Sequence, residues 1–445
     1  MGTQTITSTP TILTVAAPDG TKWDGGSGAA YKGSGTFKTL QAVYDSIPTG
    51  GGWAQIPNTT LSSAFPTASQ IDAISPPSVL RQNHWPDQWM VWASAAFNGY
   101  GWFAVSPGGH YAGYMNDTYI LRVADPVGPV RMHMPAPIRA AWSRTTGLLL
   151  DPATWAGQAV ESLSAAPEWG PTGCHQYSGM YWCAASEKMV FGGDAQVYVT
   201  NPDAIGSAVN YTQALYVFDP YAATPKSAWH RLTVPAQGAV YKEGFGMMDN
   251  GDGSVSFRNL GPERWTVNMT TLAVTAGVPG ISPAADYYLA WRHVARDAKT
   301  GKTYELHKPN LNGVDVDAAS LYETTSGAYV KVANLPASWV TGALYQDQQS
   351  KIELVNGKAY VIAQTAPGSA GTITLGVHQI DLTTGAVQSF TASPTMTIPE
   401  GMNQGTDIAG IHGRFGYVPQ VGCFVTFPSA RSNVWVFRPP SNWAV

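Results

Sequence analysis

The sequence predicts an all-β chain closed into one ring of repeated four-stranded sheets, a β-propeller, and three observations carry that prediction. Gly 47 and Pro 32 are spread along all 445 residues rather than clustered, as many short strands joined by tight turns require. Hydrophobic residues make up 44% and charged residues 12%, enough apolar material for a large core under a weakly charged surface. Strand-like runs also recur in a fixed order with a period of roughly 45 to 60 residues, the mark of blades rather than of a sandwich.

The arm comes first. Residues 1–50 are Gly, Ser and Thr rich, as in DGGSGAAYKGSGT, and are expected to be an extended arm that orders on a partner. Residues 51–445 are expected to form the single propeller domain. Gly52 to Thr59 (GWAQIPNT) has the Trp-led form of an outer strand and is expected to complete the last blade, which otherwise ends at its third strand. Pairing of the chain's two ends would leave no sheet edge open.

The first unit reads as Trp89 to Asn98, Gly101 to His110, Asp117 to Asp125 and Val130 to Pro137. In the second, Cys174 to Ala184, Lys188 to Gly193, Ala214 to Pro220 and Ala228 to Pro235 follow in the same order. Middle units at 239–279, 286–336 and 343–395 keep the rhythm through SVSFRNLG, ERWTVN, KTYELHK, KAYVIAQ and HQIDLTTGAVQSF. The last unit runs Ile411 to Pro419, Gly422 to Phe427 and Asn433 to Pro440. Six blades result, or seven if residues 59–88 hold another.

The doublets Gly108-Gly109 and Gly192-Gly193 and the aromatic strands TYILR, LYVFD and VWVFR resemble the blade signature of kelch repeats, the central-domain fold of galactose-oxidase-like proteins. That resemblance implies a kelch-type propeller and raises a copper radical site. Such a site needs a Tyr followed by His, and none of the nine His follows a Tyr. No cofactor and no metal are therefore expected.

A net charge of −4 and a pI near 6.1 leave no basic field for a phosphate backbone, so nucleic acid is not an expected partner. The N-terminus has neither a basic n-region nor an apolar core of signal-peptide length, and no apolar run approaches a membrane span. Cys174, Cys183 and Cys423 form neither a disulfide framework nor a CxxC. They are expected to be three free, buried thiols.

Inner strands of a propeller line its channel, so their N-terminal ends bring distant residues together. His175 and Gln176, Lys242 and Glu243, Arg292 and His293, Gln346 and Asp347, then Asp407, His412 and Arg414 fall at those positions. Trp85, Asp87 and Trp89 are the equivalents in the first blade. Beyond the packing Trp of outer strands such as Trp229 and Trp265, aromatic residues are concentrated in 85–114 and 140–173. Tyr and Trp offer large contact area at low ordering cost, which suits glycan or protein recognition.

Trp85, Trp102, His110, Tyr111, Tyr114, Trp155, Trp169, Tyr181, Trp182, His412 and Arg414 are the candidate binding residues. The expected function is non-enzymatic: a recognition or assembly module that binds a glycan or a protein partner through one face. In compositional style the chain resembles tail-fibre or receptor-binding components of bacteriophage particles. That resemblance implies a virion or extracellular location without a Sec signal, the arm contacting virion neighbours, and homo-oligomerisation; a cytoplasmic location is the alternative. The alternative function is a polysaccharide lyase at the channel mouth, with His175, Tyr177, Arg292 and His293, helped by Tyr181 and Arg258, abstracting a proton and neutralising a uronate.

Overall fold

The computed structural model describes residues 14–16, 22–24, 36–65, 67, 94–99, 101–105, 118–131, 141–142, 149–150, 159–161, 179–193, 196–197, 209–210, 214–220, 229–232, 246–258, 264–276, 293–307, 310–311, 314–315, 320–326, 328–336, 351–367, 372–391, 396–397 and 413–443. Six antiparallel sheets, each with its strands in the order inner to outer, form a six-bladed propeller.

Blade 1 comprises Ala95–Phe97, Trp102–Val105, Tyr119–Arg122 and Gly128–Arg131. Blade 2 comprises Met180–Cys183, Lys188–Gly193, Ala214–Phe218 and Trp229–Leu232. Blade 3 follows with Gly246–Asp249, Ser254–Arg258, Arg264–Asn268 and Val274–Ala276, and blade 4 with His293–Arg296, Thr303–His307, Ser320–Glu323 and Val330–Asn334. Blade 5 has Lys351–Val355, Lys358–Pro367, Thr372–Asp381 and Val387–Phe390. Blade 6 has Phe415–Val418, Cys423–Thr426 and Val434–Arg438, with Gly52–Ile56 as its outer strand, Gly52 opposite Arg438 and Ile56 opposite Val434.

Alternation along each strand assigns side chains to the two neighbouring blades. In blade 1, Phe103 and Val105 pack against Val425 and Phe427 of blade 6, while Trp102 and Ala104 pack against Met180 and Trp182 of blade 2. Apolar clusters fill the seams between blades 2 and 3, 4 and 5, and 5 and 6 in the same way. Cys183 and Cys423 are free thiols inside this packing; Cys174 lies outside the described residues.

Each blade runs inner strand down, second up, third down and fourth up, so its first and third connections share one face, here called lower. The inner strands point the same way around the ring. Ala184 N–H, just past the end of blade 2's inner strand, donates to Asp249 at the end of blade 3's (3.2 Å). At the opposite ends, Lys351 of blade 5 donates to the carbonyl of Phe415 in blade 6.

Turn chemistry explains the compact lower face. Asn268, Asp297 and Asp381 each end a strand and accept from main-chain N–H groups two or three residues on. A residue at positive φ then closes the turn, Gly301 and Gly385 in two cases and Leu272 in the third. The run DNGDGS, read as a hairpin from its two Asx-Gly pairs, is one: Gly251 and Gly253 take φ of +77° and +84° between the first two strands of blade 3.

Residues 36–50 depart from the expected extended arm. Lys38–Ser46 is a helix because Leu40, Val43, Tyr44 and Ile47 recur at helical spacing and line one face. Leu40 and Ile47 are buried in the cluster shared by blades 6 and 1. Only strands 14–16 and 22–24, paired with each other, are described before residue 36.

One buried titratable group in a blade gives a stability prediction. His378, on the third strand of blade 5, is 1% exposed and places Nδ1 2.7 Å from Ser389 Oγ. Burial pulls its imidazole down from 6.5 to about 4. Between those values the unfolded chain takes up a proton that the folded chain refuses, so stability falls as pH drops. The loss is on the order of 3 kcal/mol by the lower end of the window. Urea unfolding across this window should show it, and His378→Gln should flatten the profile; an unchanged slope in the variant would assign the effect to other groups.

Candidate functional site

The inner strands enclose a channel cavity of about 200 Å³ lined from all six blades. That is below the roughly 300 Å³ at which small-molecule sites begin. It has room for several water molecules, which the polar free edges of the inner strands require.

Its polar lining is Tyr181, Arg296, Lys351, Glu353 and Tyr417. Lys351 Nζ lies 2.8 Å from Glu353 Oε1 and 2.5 Å from the Phe415 carbonyl, so one ammonium satisfies its own strand's carboxylate and the main-chain edge of the next blade. Burial pushes the Tyr181 phenol well above its ordinary range, against the opposing effect of an Asp249 main-chain hydrogen bond. Arg296 lies over the glycine turn of blade 3: a Cβ on Gly251 would stand 2.9 Å from Nη1. The channel is thus a small polar core whose charges are held by neighbours across blade seams. Among the described residues no group of three His, Cys, Asp or Glu could hold a metal ion, and no described helix is long and apolar enough to cross a membrane.

The two faces of the ring differ. First and third connections, on the lower face, include the tight described turns at 184–187, 250–253, 297–302, 356–357 and 419–422. Second connections, and those between blades, meet the described strands at the upper face; they range from the short 368–371 of blade 5 and 259–263 of blade 3 to the long 132–179 between blades 1 and 2. Every accessory ladder described between blade strands falls in these upper connections. They are the sheet formed by 141–142, 149–150 and 159–161, the pairs 196–197 with 209–210 and 310–311 with 314–315, and 396–397 against 372–373. In blade 5 the second and third strands run ten residues each, although the inner strand pairs only with 358–362. At about 3.3 Å per residue the remaining five carry that hairpin some 16 Å past the inner strand.

No family profile matches the sequence, and no curated protein matches it. Among solved structures, a protein of unknown function from Bacteroides thetaiotaomicron aligns over 87% of this chain and 75% of its own, with a TM-score of 0.44 and 10% identity. The exo-β-1,3-galactanase of Phanerochaete chrysosporium aligns over 61% of each chain, with a TM-score of 0.36 and 11% identity. A galactanase-like protein of Bifidobacterium bifidum, described as a candidate exo-β-1,3-galactanase, covers 71% of this chain and 92% of its own at a TM-score of 0.33 and 11% identity. At these scores the likenesses bear on neither activity nor ligand.

The structure separates the candidate residues into two groups. Trp102 is fully buried and Trp182 is 6% exposed, their rings 4.8 Å apart and edge to face in the seam between blades 1 and 2. Arg414, 1% exposed, sits beneath the second connection of blade 6 with its guanidinium 5.9 Å from the Phe427 ring; burial lowers it to about 9. Tyr181 lines the channel. His293 opens the inner strand of blade 4, opposite Leu306. Trp102 and Trp182 thus belong to a seam, Arg414 is enclosed and Tyr181 faces the channel.

Trp85, His110, Tyr111, Tyr114, Trp155, Trp169, His175, Tyr177, Arg292 and His412 lie outside the described residues. So do Gln176, Lys242, Glu243, Gln346, Asp347 and Asp407. In the sequence each stands between described strands that begin or end at the upper face.

Sequence reading missed Lys351 and Glu353 by starting the inner strand of blade 5 near Gln346. The signal was present: Asn356-Gly357, both at positive φ, is a two-residue hairpin turn that sets the preceding strand at 351–355.

Proposed function

We propose that this protein is a non-enzymatic recognition module that binds a glycan on the upper face of the propeller. One observation carries the reading: every accessory ladder described between blade strands is built into the upper-face connections, while the first connections described on the lower face are short turns. Elaboration of one face on a rigid ring is how a scaffold acquires a binding surface. Ten of the candidate aromatic, imidazole and guanidinium residues fall in the same connections. Sugar rings stack on Trp and Tyr faces, and the cavity of about 200 Å³ among the described channel residues is small for an oligosaccharide.

In the same reading the N-terminal arm attaches the ring to a larger particle, outside the cell, and copies of the chain follow that particle's symmetry. Detection of the chain in purified extracellular particles tests that part.

Calorimetric titration of the purified chain with a panel of neutral and uronate-containing polysaccharides tests the ligand. Binding of one class, weakened about tenfold or more by Trp155→Ala or Trp169→Ala, is the expected result, on the scale of one lost aromatic contact. Ultraviolet-absorbing unsaturated products from a uronate polymer would replace this reading with the lyase. No binding across the panel, with retention of a protein partner instead, would remove the glycan.

A further inference from the structure

The seam between blades 6 and 1 is where the two ends of the ring meet, and the helix Lys38–Ser46 lies across it on the lower face. Its two ends are held by different blades. Asp125, in the third connection of blade 1, accepts from Thr36 Oγ1 (3.2 Å), Thr39 N–H (3.2 Å) and Thr39 Oγ1 (2.5 Å). Arg438, the last residue of blade 6's third strand, donates Nη1 to the carbonyls of Ile47 (2.8 Å) and Tyr44 (3.4 Å) and places its guanidinium 4.5 Å from the Tyr44 ring.

The helix has no side-chain cap of its own at its start, and at its end it supplies only Ser46 Oγ to the Val43 carbonyl (2.6 Å) and Ile47 N–H to that of Tyr44 (3.1 Å). Phe37 at its start makes no side-chain cap, its first turn has no acidic residue and its last turn no basic one. A helix leaves its first N–H and last C=O groups unpaired and carries a positive start and a negative end. Here a carboxylate from one blade meets the positive end and a guanidinium from the other meets the negative end. Burial alone would raise the Asp125 carboxyl, but the bonds from Thr39 and Thr36 outweigh it and hold it below its ordinary value.

Between helix and outer strand the chain reads Pro48, Thr49, Gly50, Gly51, Gly52. Gly51 adopts φ of +93°, and a Cβ on Gly50 would meet nothing within 4 Å. Gly52 begins the five-residue ladder of Gly52–Ile56 with Val434–Arg438, so Gly50 and Gly51 ahead of it are the points about which the helix can swing, a movement that also gives up the bond from Ser441 N–H to the Thr49 carbonyl (3.0 Å).

We propose that the helix is a strap, a separately releasable unit that covers the closing seam and is held at its two ends by Asp125 of blade 1 and Arg438 of blade 6. When released it uncovers the apolar surface under Leu40 and Ile47 while the six sheets stay formed. Since the N-terminal arm continues from Thr36, whatever holds the arm also acts on the strap. The inference is independent of what the upper face binds.

Hydrogen exchange on the full chain tests it. In Asp125→Asn combined with Arg438→Gln, amides of 38–46 should exchange at least about tenfold faster while those of 52–56, 119–122 and 434–438 keep their protection. Unchanged exchange in the helix would show that the end contacts do not hold it. Equal loss in the helix and the three strands would show one cooperative core instead of a strap. If the double variant fails to fold, Thr39→Val, which leaves both charged residues in place, decides on the same criteria.

Discussion

Gly413→Ala is expected to lose about 4 kcal/mol or more, at the upper end of what single substitutions cost. Gly413 begins the approach of blade 6 to blade 1, and its N–H donates to Ser94 Oγ at 3.2 Å. A Cβ there would lie 1.8 Å from the Ala95 carbonyl oxygen and 2.5 Å from Ser94 Oγ. The first obstacle is backbone, so no rotamer change relieves it. Three residues on, a Cβ at Gly416 would lie 2.2 Å from the Phe97 ring, so the two blades meet along glycine. Gly50→Ala is the control, expected within about 0.5 kcal/mol of wild type because nothing stands near it. Comparison of the two by chemical denaturation checks the expectation, and a near-neutral Gly413→Ala would mean that the closing seam is looser than this packing.

Trp102→Ala is expected to cost about 3–5 kcal/mol of stability, as removal of a fully buried indole does, and to leave ligand affinity of the remaining folded protein unchanged. The indole is 0% exposed, edge to face with Trp182 across the seam between blades 1 and 2, in a cluster with Met189 and Phe191. Aromatic density around residue 102 had suggested a binding surface, so the prediction separates the two roles of one residue type. Thermal unfolding and glycan titration on the same sample read them apart. A variant as stable as wild type that no longer binds would return Trp102 to the recognition surface.

Both expectations bear on what was legible in the order of residues. The strands of blades 1, 2 and 6 were readable because period-two alternation is local, and in the middle blades turns carry their own chemistry, as in Thr383-Thr384-Gly385 of blade 5. A further repeat signature went unread in the middle blades. Lysine at the start of the second strand faces a carboxylate at the end of the third in Lys188 with Asp219, Lys302 with Glu323 and Lys358 with Asp381. Such pairs join residues 21 to 31 apart, so they become visible only once strands are aligned. The helix at 38–46 was hidden within a Gly and Ser rich stretch because its apolar spacing spans little more than two turns, and its caps come from residues about 90 and 390 positions away.

By itself the sequence determined the strand order within blades, the repetition of six or seven units and the turns, since these depend on backbone preferences and alternation within a few residues; the closed ring fixed the count at six. Tertiary structure alone decided that Trp102 and Trp182 are packing, because they meet edge to face across the seam of two blades. It alone decided that Arg414 is enclosed, that Lys351 bridges two blades, and that the accessory ladders share one face. Those outcomes follow from ring closure, which sets side chains hundreds of residues apart within hydrogen-bonding distance and is encoded in no local pattern.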